Sequence, residues 1–506
     1  MAQSGDWITP RLYGTTWFEK PVLYYWAAGL GFKLQLPAEW AARLPSALAA
    51  SAASLALAWL ARKHYGVNGK PSLTLALLAP LLFATTVAAI GFSRAATPDM
   101  LFSASITLAM VCAAAVLRNH RVLGTTDADS VPKKDAPALA FFGIFLATGA
   151  LAKGPAAIVL AVGAIGTWAL AVRRWRVALR MAHPIALLTF AVVALPWYIV
   201  CAERNPDFIH VFIFQHNLER YVSPIFQHRQ PFWFFVPITL LAAVPWVAFL
   251  LPAAREAMPA WRGRGWRNSP TFFFSCWAMF PILFFSFSQS KLPSYVLPGI
   301  PALALILAVV VSRLLAANSP ANFWIFTLVG LTWLSLGVGG LLWLRRLPQD
   351  VVLRAERAVV ACAILAIAVG IAIIILSRVR QRAIISLSVI SVCAILEIAG
   401  FVILPKLDPD YSARPVGTML RSDLRPDRLF EYNLPRSWHY GVAFYLGREL
   451  PEWTNTDEKA ALVLTTQEGC GALRMQELTE TCESSRVGIA LVPVRARTRI
   501  TAPTTH

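Results

Sequence analysis

The chain has 506 residues, of which 57% are hydrophobic and only 14% charged, and its mean hydropathy is +0.57. Those values exclude an ordinary soluble domain and a disordered chain, and leave a polytopic membrane protein. The net charge of +19 would suit a nucleic-acid binder, but Lys and Arg fall mainly between apolar runs, where they set topology, so nucleic acid is not an expected partner.

In chain order, a polar and aromatic segment comes first, with Gly5-Asp6-Trp7 and Trp17-Phe18-Glu19-Lys20-Pro21. About 20 apolar residues are needed for a helix to cross a bilayer. About twelve runs qualify: Ala42–Ala61, Leu73–Ile90, Leu101–Leu117, Ala138–Leu151, Ala156–Val172, Ile185–Cys201, Phe232–Leu251, Phe272–Phe287, Tyr295–Val311, Phe323–Leu344, Val359–Leu376 and Ile384–Leu404. The fold class is therefore an α-helical polytopic membrane protein with about 12 transmembrane helices.

Basic residues collect in alternate connections. One set holds Arg62, Lys63 and Lys70; Arg118, Arg121, Lys133 and Lys134; Arg173, Arg174, Arg176 and Arg180; Arg255, Arg262, Arg264 and Arg267; Arg313; and Arg378, Arg380 and Arg382. The other holds Arg94, Lys153, Arg204, Arg220, Arg229, Lys291 and a patch at Arg345, Arg346, Arg354 and Arg357 that fits topology or head-group contact better than catalysis. The positive-inside rule puts the first set in the cytoplasm and both termini outside. An outside N-terminus with no span before it predicts a further helix upstream.

The outer face then gathers Glu19-Lys20, Thr97-Pro98-Asp99-Met100, Lys153-Gly154-Pro155, the stretch from Arg204 to Pro231, and Ser290-Lys291-Leu292-Pro293-Ser294-Tyr295. Charged groups at the ends of spans are costly unless paired, hydrated or used, so their convergence marks a candidate site. A mixture of Lys, Arg and His suits a phosphate.

Past Leu404 the composition changes, which divides the chain into a membrane domain, 1–404, and a small extracytoplasmic α/β domain, 405–506. Strand-like runs stand at Ala461–Thr465 and Val487–Pro493, with aromatic segments around Trp438 and Phe444-Tyr445. Cys470 and Cys482 lie in that outer portion, where a disulfide is permitted, whereas the other cysteines lie in or beside spans and read as packing residues. No Cys and His spacing resembles a zinc site. No cofactor is assigned, and a divalent metal held by carboxylates upstream of Met1 stays open.

Four ordered motifs carry a resemblance: Phe18-Glu19-Lys20-Pro21; Gly149-Ala150-Leu151-Ala152-Lys153-Gly154-Pro155; His216 to Arg220 followed by His228-Arg229-Gln230-Pro231-Phe232-Trp233; and Ser290-Lys291-Leu292-Pro293 with Tyr295. Together they resemble the GT-C glycosyltransferases of the family that includes bacterial aminoarabinose transferases and protein O-mannosyltransferases, more closely the former. The resemblance implies inverting transfer of a sugar from a polyprenyl (undecaprenyl) phosphate to a lipid A-type, glycan or protein acceptor, at the periplasmic face of the bacterial inner membrane. It implies that Lys20 contacts the donor phosphate with Glu19 beside it, and that Lys153, Lys291 and Tyr295 belong to the same cavity. Asp99 would line that cavity as a second acid, and Arg220, His228 and Arg229 would shape its entrance. Family members also carry an acidic motif ahead of the Gly-Asp-Trp segment. Here Gly5 follows four residues after the start, so the main catalytic carboxylate is expected to be missing from this chain.

Each residue also has a plainer reading. Glu19 and Lys20 form an interfacial ion pair, Asp99 caps a helix starting near Leu101, and Lys153 and Lys291 snorkel from helix ends. Tyr295 then belongs to the aromatic belt, and His228 with Arg229 to a solvated loop. Two other function classes stand beside the transferase, a lipid-linked sugar transporter or flippase and a non-catalytic accessory protein. The absence of an internal repeat weighs against the transporter.

Overall fold

The computed structural model describes residues 1–64, 72–122, 135–222, 229–255, 269–317, 319–346, 349–423, 429–454, 461–476, 478–479, 482 and 489–494. Of the sequence expectations, Lys70, Lys133, Lys134, His228, Arg262, Arg264, Arg267 and Val487 lie outside the described residues, and for Arg118, Arg121, Arg220 and Arg354 only the backbone is described. Two compact units emerge, one of residues 1–336 with 366–393, the other of 337–365 with 394–506.

The first unit begins with a hairpin of two short antiparallel strands, β1 (Arg11–Leu12) and β2 (Thr15–Thr16). Its first helices follow in order: α1 (Leu23–Lys33), α2 (Ala38–His64), α3 (Leu73–Ala84), α4 (Val87–Ser93), α5 (Asp99–Val122), α6 (Ala136–Lys153), α7 (Ala156–Ala171), α8 (Trp175–Leu179) and α9 (Pro184–Arg204). Among the described residues, eight helices are long and apolar enough to span a membrane, and two further pairs pass as bent spans. The run read as Leu73–Ile90 is such a pair, bent by 64°, and the run read as Phe232–Leu251 is bent by 113°. The runs read as Ala156–Val172 and Phe272–Phe287 correspond to apolar helices Ala156–Ala171 and Pro270–Ser286, of 16 and 17 residues.

Helix α5 is the most deeply buried span and packs against α2 and α6, while α6 also packs against α9. Apolar side chains gain nothing from exchanging lipid for protein, so small residues and interhelical hydrogen bonds carry this packing. At Gly143 of α6 an added Cβ would lie 2.1 Å from the Ala186 carbonyl of α9. Beside it, Thr189 donates to the Ala140 carbonyl at 3.0 Å. Across the α5 and α6 contact Thr148 donates to the Ser105 hydroxyl at 3.1 Å.

The N-terminal segment is docked by polar pins and buried rings. Asp6 accepts from the amides of Ile8 at 2.9 Å and Thr9 at 3.2 Å. Trp197 of α9 donates to the Ile8 carbonyl at 2.9 Å, and Asn205 donates to the Thr9 hydroxyl at 2.9 Å. Phe18 and Val22 enter an apolar cluster with Leu151, Trp197, Phe208 and Phe212. Glu19 and Lys20 are thereby held between two buried anchors, next to the end of α6.

The second unit contains a three-stranded sheet in the order β3 (Leu429–Tyr432), β4 (Ala461–Thr466), β5 (Ile489–Val494). Strand β4 pairs with β3 in parallel and with β5 antiparallel, as in Val463 opposite Val492. Helix Arg436–Leu446, where the sequence showed only an aromatic segment, lies between β3 and β4 in the chain, as a parallel pair requires of its crossover. It buries Val442 against Leu429, Leu464 and Ile489. Cys470 and Cys482 are joined by a disulfide.

Candidate active site

Lys153 is the last residue of α6, and Gly154 caps that helix with φ of +82°. That conformation is costly for any residue with a Cβ. An added Cβ would also sit 2.6 Å from the Phe212 ring. Pro155 follows as the N-cap of α7, where its missing amide hydrogen costs nothing. The Lys-Gly-Pro order thus makes a sharp joint with the lysine on its inner side.

Asp99 stands in the first turn of α5, where its negative charge suits the helix dipole. Its carboxylate accepts from the Lys153 ammonium at 2.5 Å, and both side chains are only 16% exposed. The same ammonium lies 5.1 Å from the Tyr295 ring centre and 5.5 Å from that of Phe102. Tyr295, on the 3-10 turn Pro293–Gly299, packs on Phe285 with ring centres 4.3 Å apart.

These groups border a cavity of about 460 Å³. Glu19 and Lys20 reach it from the N-terminal segment, Lys153 from α6, and Tyr295 from the turn Pro293–Gly299. Lys20 donates to the Glu19 carbonyl at 3.0 Å and lies 3.5 Å from its carboxylate, both side chains being partly exposed. Phe102, Val159, Ile213, Phe284 and Phe285 make much of the remaining wall apolar. The cavity therefore offers cations and an acid beside a surface suited to hydrocarbon.

The other sequence candidates are placed differently. Asp99 sits behind Lys153 and is not among the lining residues. Lys291 is buried and absent from the lining. Its ammonium donates to the Ser288 carbonyl at 2.6 Å, and burial holds its pKa below the ordinary lysine range. Ser288 does line the cavity, so Lys291 acts on the wall through that contact. Arg229 is exposed and does not line it. The backbone of Arg220 opens the short helix Arg220–Val222.

Sequence reading assigned no role to five polar lining residues, His216, Asn217, Tyr221, Ser288 and Ser294. His216 and Asn217 lie on a π-helical segment, His210–Glu219, within what the sequence presented as an outer loop. π-helical geometry is frequent at functional sites. Tyr221 donates to the Phe284 carbonyl at 2.9 Å and stacks on that ring at 4.8 Å. The His216 motif was visible in the sequence, but nothing in its spacing separated the histidine from its neighbours. Among the described residues no cluster of three or more His, Cys, Asp or Glu has the arrangement of a metal site.

Comparison with known proteins extends these observations. A family model described as dolichyl-phosphate-mannose-protein mannosyltransferase matches residues 1–212. The undecaprenyl phosphate-alpha-4-amino-4-deoxy-L-arabinose arabinosyl transferase of Edwardsiella ictaluri is 33% identical over 341 residues, 67% of this chain and 57% of that protein. The protein of the same name from Erwinia tasmaniensis is 32% identical over 312 residues, 61% of this chain and 52% of its own length. The chain thus spans somewhat more than half the length of these relatives. Among solved structures, ArnT from Cupriavidus metallidurans bound to undecaprenyl phosphate superposes with a TM-score of 0.79 at 20% identity, over 97% of this chain and 91% of that one.

The fold is the helical, polytopic membrane fold of that solved structure. Over residues 1–212 the chain is similar to the protein mannosyltransferase family model, and over a longer stretch to the aminoarabinose-type transferases.

Proposed function

We propose that the protein transfers a sugar from a polyprenyl phosphate donor to a lipid A-type, glycan or protein acceptor, with inversion, at the periplasmic face of a bacterial inner membrane. The observation that carries this reading is the cavity itself. It sets the ammonium groups of Lys20 and Lys153 and the carboxylate of Glu19 against a largely apolar wall, as a molecule that is phosphate at one point and hydrocarbon beyond it requires. The names of the curated relatives support undecaprenyl phosphate aminoarabinose as the first donor to test.

In this reaction the acceptor oxygen attacks the anomeric carbon from the side opposite the phosphate. The bond between that carbon and the phosphate oxygen breaks, its electron pair stays on the phosphate, and the lipid phosphate departs. Negative charge grows on the leaving group, so a preorganised cation lowers the barrier. Lys20 takes that role, because its pair with Glu19 is long and partly exposed whereas Lys153 is held close by Asp99. Glu19 faces the sugar, where it stabilises positive character on the anomeric carbon or accepts a proton from a hydroxyl acceptor. A phosphate acceptor needs no such base.

The test is transfer of radiolabelled sugar from a polyprenyl phosphate donor by the full chain in vesicles, offered lipid A and a glycan in separate reactions. Lys20→Ala is expected to lower turnover about 10²–10³-fold, and Lys20→Arg to lose less. Passage of intact lipid-linked sugar across the vesicle, without transfer, would overturn the enzyme reading in favour of a flippase.

A further inference from the structure

A second cavity, of about 510 Å³, lies where α6, α7, α8 and α9 meet. The first cavity uses the C-terminal end of α6 and the N-terminal end of α7, at Lys153 and Ala156. The second runs along most of α7, from Ile158 to Leu170, and takes Phe142 and Leu146 on α6 and Leu187 on α9. The two linings share no residue, and the second alone reaches the C-terminal end of α7, at Ala169 and Leu170. The second lining is almost wholly hydrocarbon and offers no polar partner to a head group, so what enters it is an apolar chain.

Glycines distinguish this groove from an ordinary close contact. At Gly143 and Gly163 an added Cβ would meet the Ala186 carbonyl or the Phe280 ring, so those glycines admit a neighbouring helix. At Gly166 it would meet nothing within 4 Å. The missing side chain there leaves open space along α7.

The mouth of the groove is basic. Beyond α7 the chain reverses at Arg173, whose φ is +56°, and the amide of Arg174 donates to the Ala169 carbonyl at 2.8 Å. This reversal leads into α8, whose Trp175 and Leu179 border the groove. Arg173 and Arg176 are exposed, and the Arg176 guanidinium lies 5.4 Å from the Trp175 ring centre. No acidic residue occurs in the sequence between Asp135 and Glu203, so this segment brings no carboxylate of its own to the arginines. A tryptophan beside arginines at a helix end is the pattern of a membrane interface.

We propose that this groove is a binding site for an anionic phospholipid, with an acyl chain beneath α8 and the phosphate against Arg173 and Arg176. Charge complementarity selects the occupant. A zwitterionic lipid gains nothing net from two arginines, whereas an anionic head group gains attraction from each. The site is separate from the proposed transfer site and stands whether or not the chain is a transferase.

The test is native mass spectrometry of the full chain in detergent, offered equimolar phosphatidylglycerol and phosphatidylcholine, then phosphatidylglycerol against undecaprenyl phosphate. The wild type is expected to retain phosphatidylglycerol preferentially in both contests. Arg173→Gln with Arg176→Gln should cut its preference over phosphatidylcholine by about fivefold for each charge removed, with phosphatidylcholine retention unchanged. Gly166→Phe should lower retention of both phospholipids by filling the groove. Equal retention of the two phospholipids by the wild type would overturn the proposal, as would an arginine variant with undiminished preference. Undecaprenyl phosphate displacing phosphatidylglycerol in the wild type but not in Gly166→Phe would also overturn it. The arginine variant alters only an exposed turn, so its result stands even if Gly166→Phe fails to fold.

Discussion

Lys153 holds a carboxylate and two aromatic rings at once, and that crowding determines what its removal does. A buried ion pair adds little net stability, but deleting one partner strands the other charge. Lys153→Met is therefore expected to destabilise the protein by about 3–5 kcal/mol, and Lys153→Met with Asp99→Asn to recover most of that loss. Thermal unfolding of the four species of this cycle in detergent measures the coupling; additive losses would show that the pair is not a unit. Asp6 gives a different signature. Hydrogen bonding from the Ile8 amide, aided by Thr9 and Arg204, holds its carboxyl below the ordinary value of 3.8 despite partial burial. A lowered pKa in the folded state adds stability that is full above 3.8 and is lost as pH falls below it, through the folded-state value. Hydrogen exchange at Ile8 and Thr9 should accelerate across that acid window, after allowance for the intrinsic pH dependence of exchange. In Asp6→Ala it should be fast throughout and lack the acid-induced rise.

At the scale of elements, the joint between α6 and α7 controls the site more than either helix does. Gly154→Ala forces a side chain into a left-handed conformation and against Phe212, at a cost of about 1–3 kcal/mol. It should also lower transfer, because Lys153 and Ala156 flank the joint and both line the cavity. An unchanged unfolding temperature in detergent would show that the turn tolerates the strain. All twelve apolar runs fall on helices, because hydropathy over some twenty residues is a strong local signal. The bends were illegible because Thr85 and Thr86 are two polar residues within one long apolar window. Thr86 nonetheless starts a new helix by accepting from the Ala89 amide at 3.2 Å. The positions of Glu19, Lys20, Lys153 and Tyr295 around one cavity were legible through ordered motifs. Ser288 and Asn217 were not, since a lone Ser or Asn in a connection carries no periodicity. Their approach depends on how α7, the π-helical segment and helix Pro270–Ser286 pack.

At the scale of the whole molecule, two units are stabilised by different physics. The first rests on close helix contacts such as Gly143 against Ala186 and on hydrogen bonds between spans. The second includes a water-type core around its sheet, with Leu429, Val442 and Leu464 buried together and the disulfide beside Ala490 and Val492. A disulfide across 12 positions stabilises mainly by limiting the unfolded chain, by about 3 kcal/mol for a loop of this order. Cys470→Ser with Cys482→Ser should therefore lower protection from hydrogen exchange in β4, β5 and helix Gln467–Met475 while α5 and α6 keep theirs. Addition of reductant to the wild type should reproduce that pattern. Loss of protection in both units together would show that they unfold as one cooperative body, and that the separation of their cores does not extend to their stability.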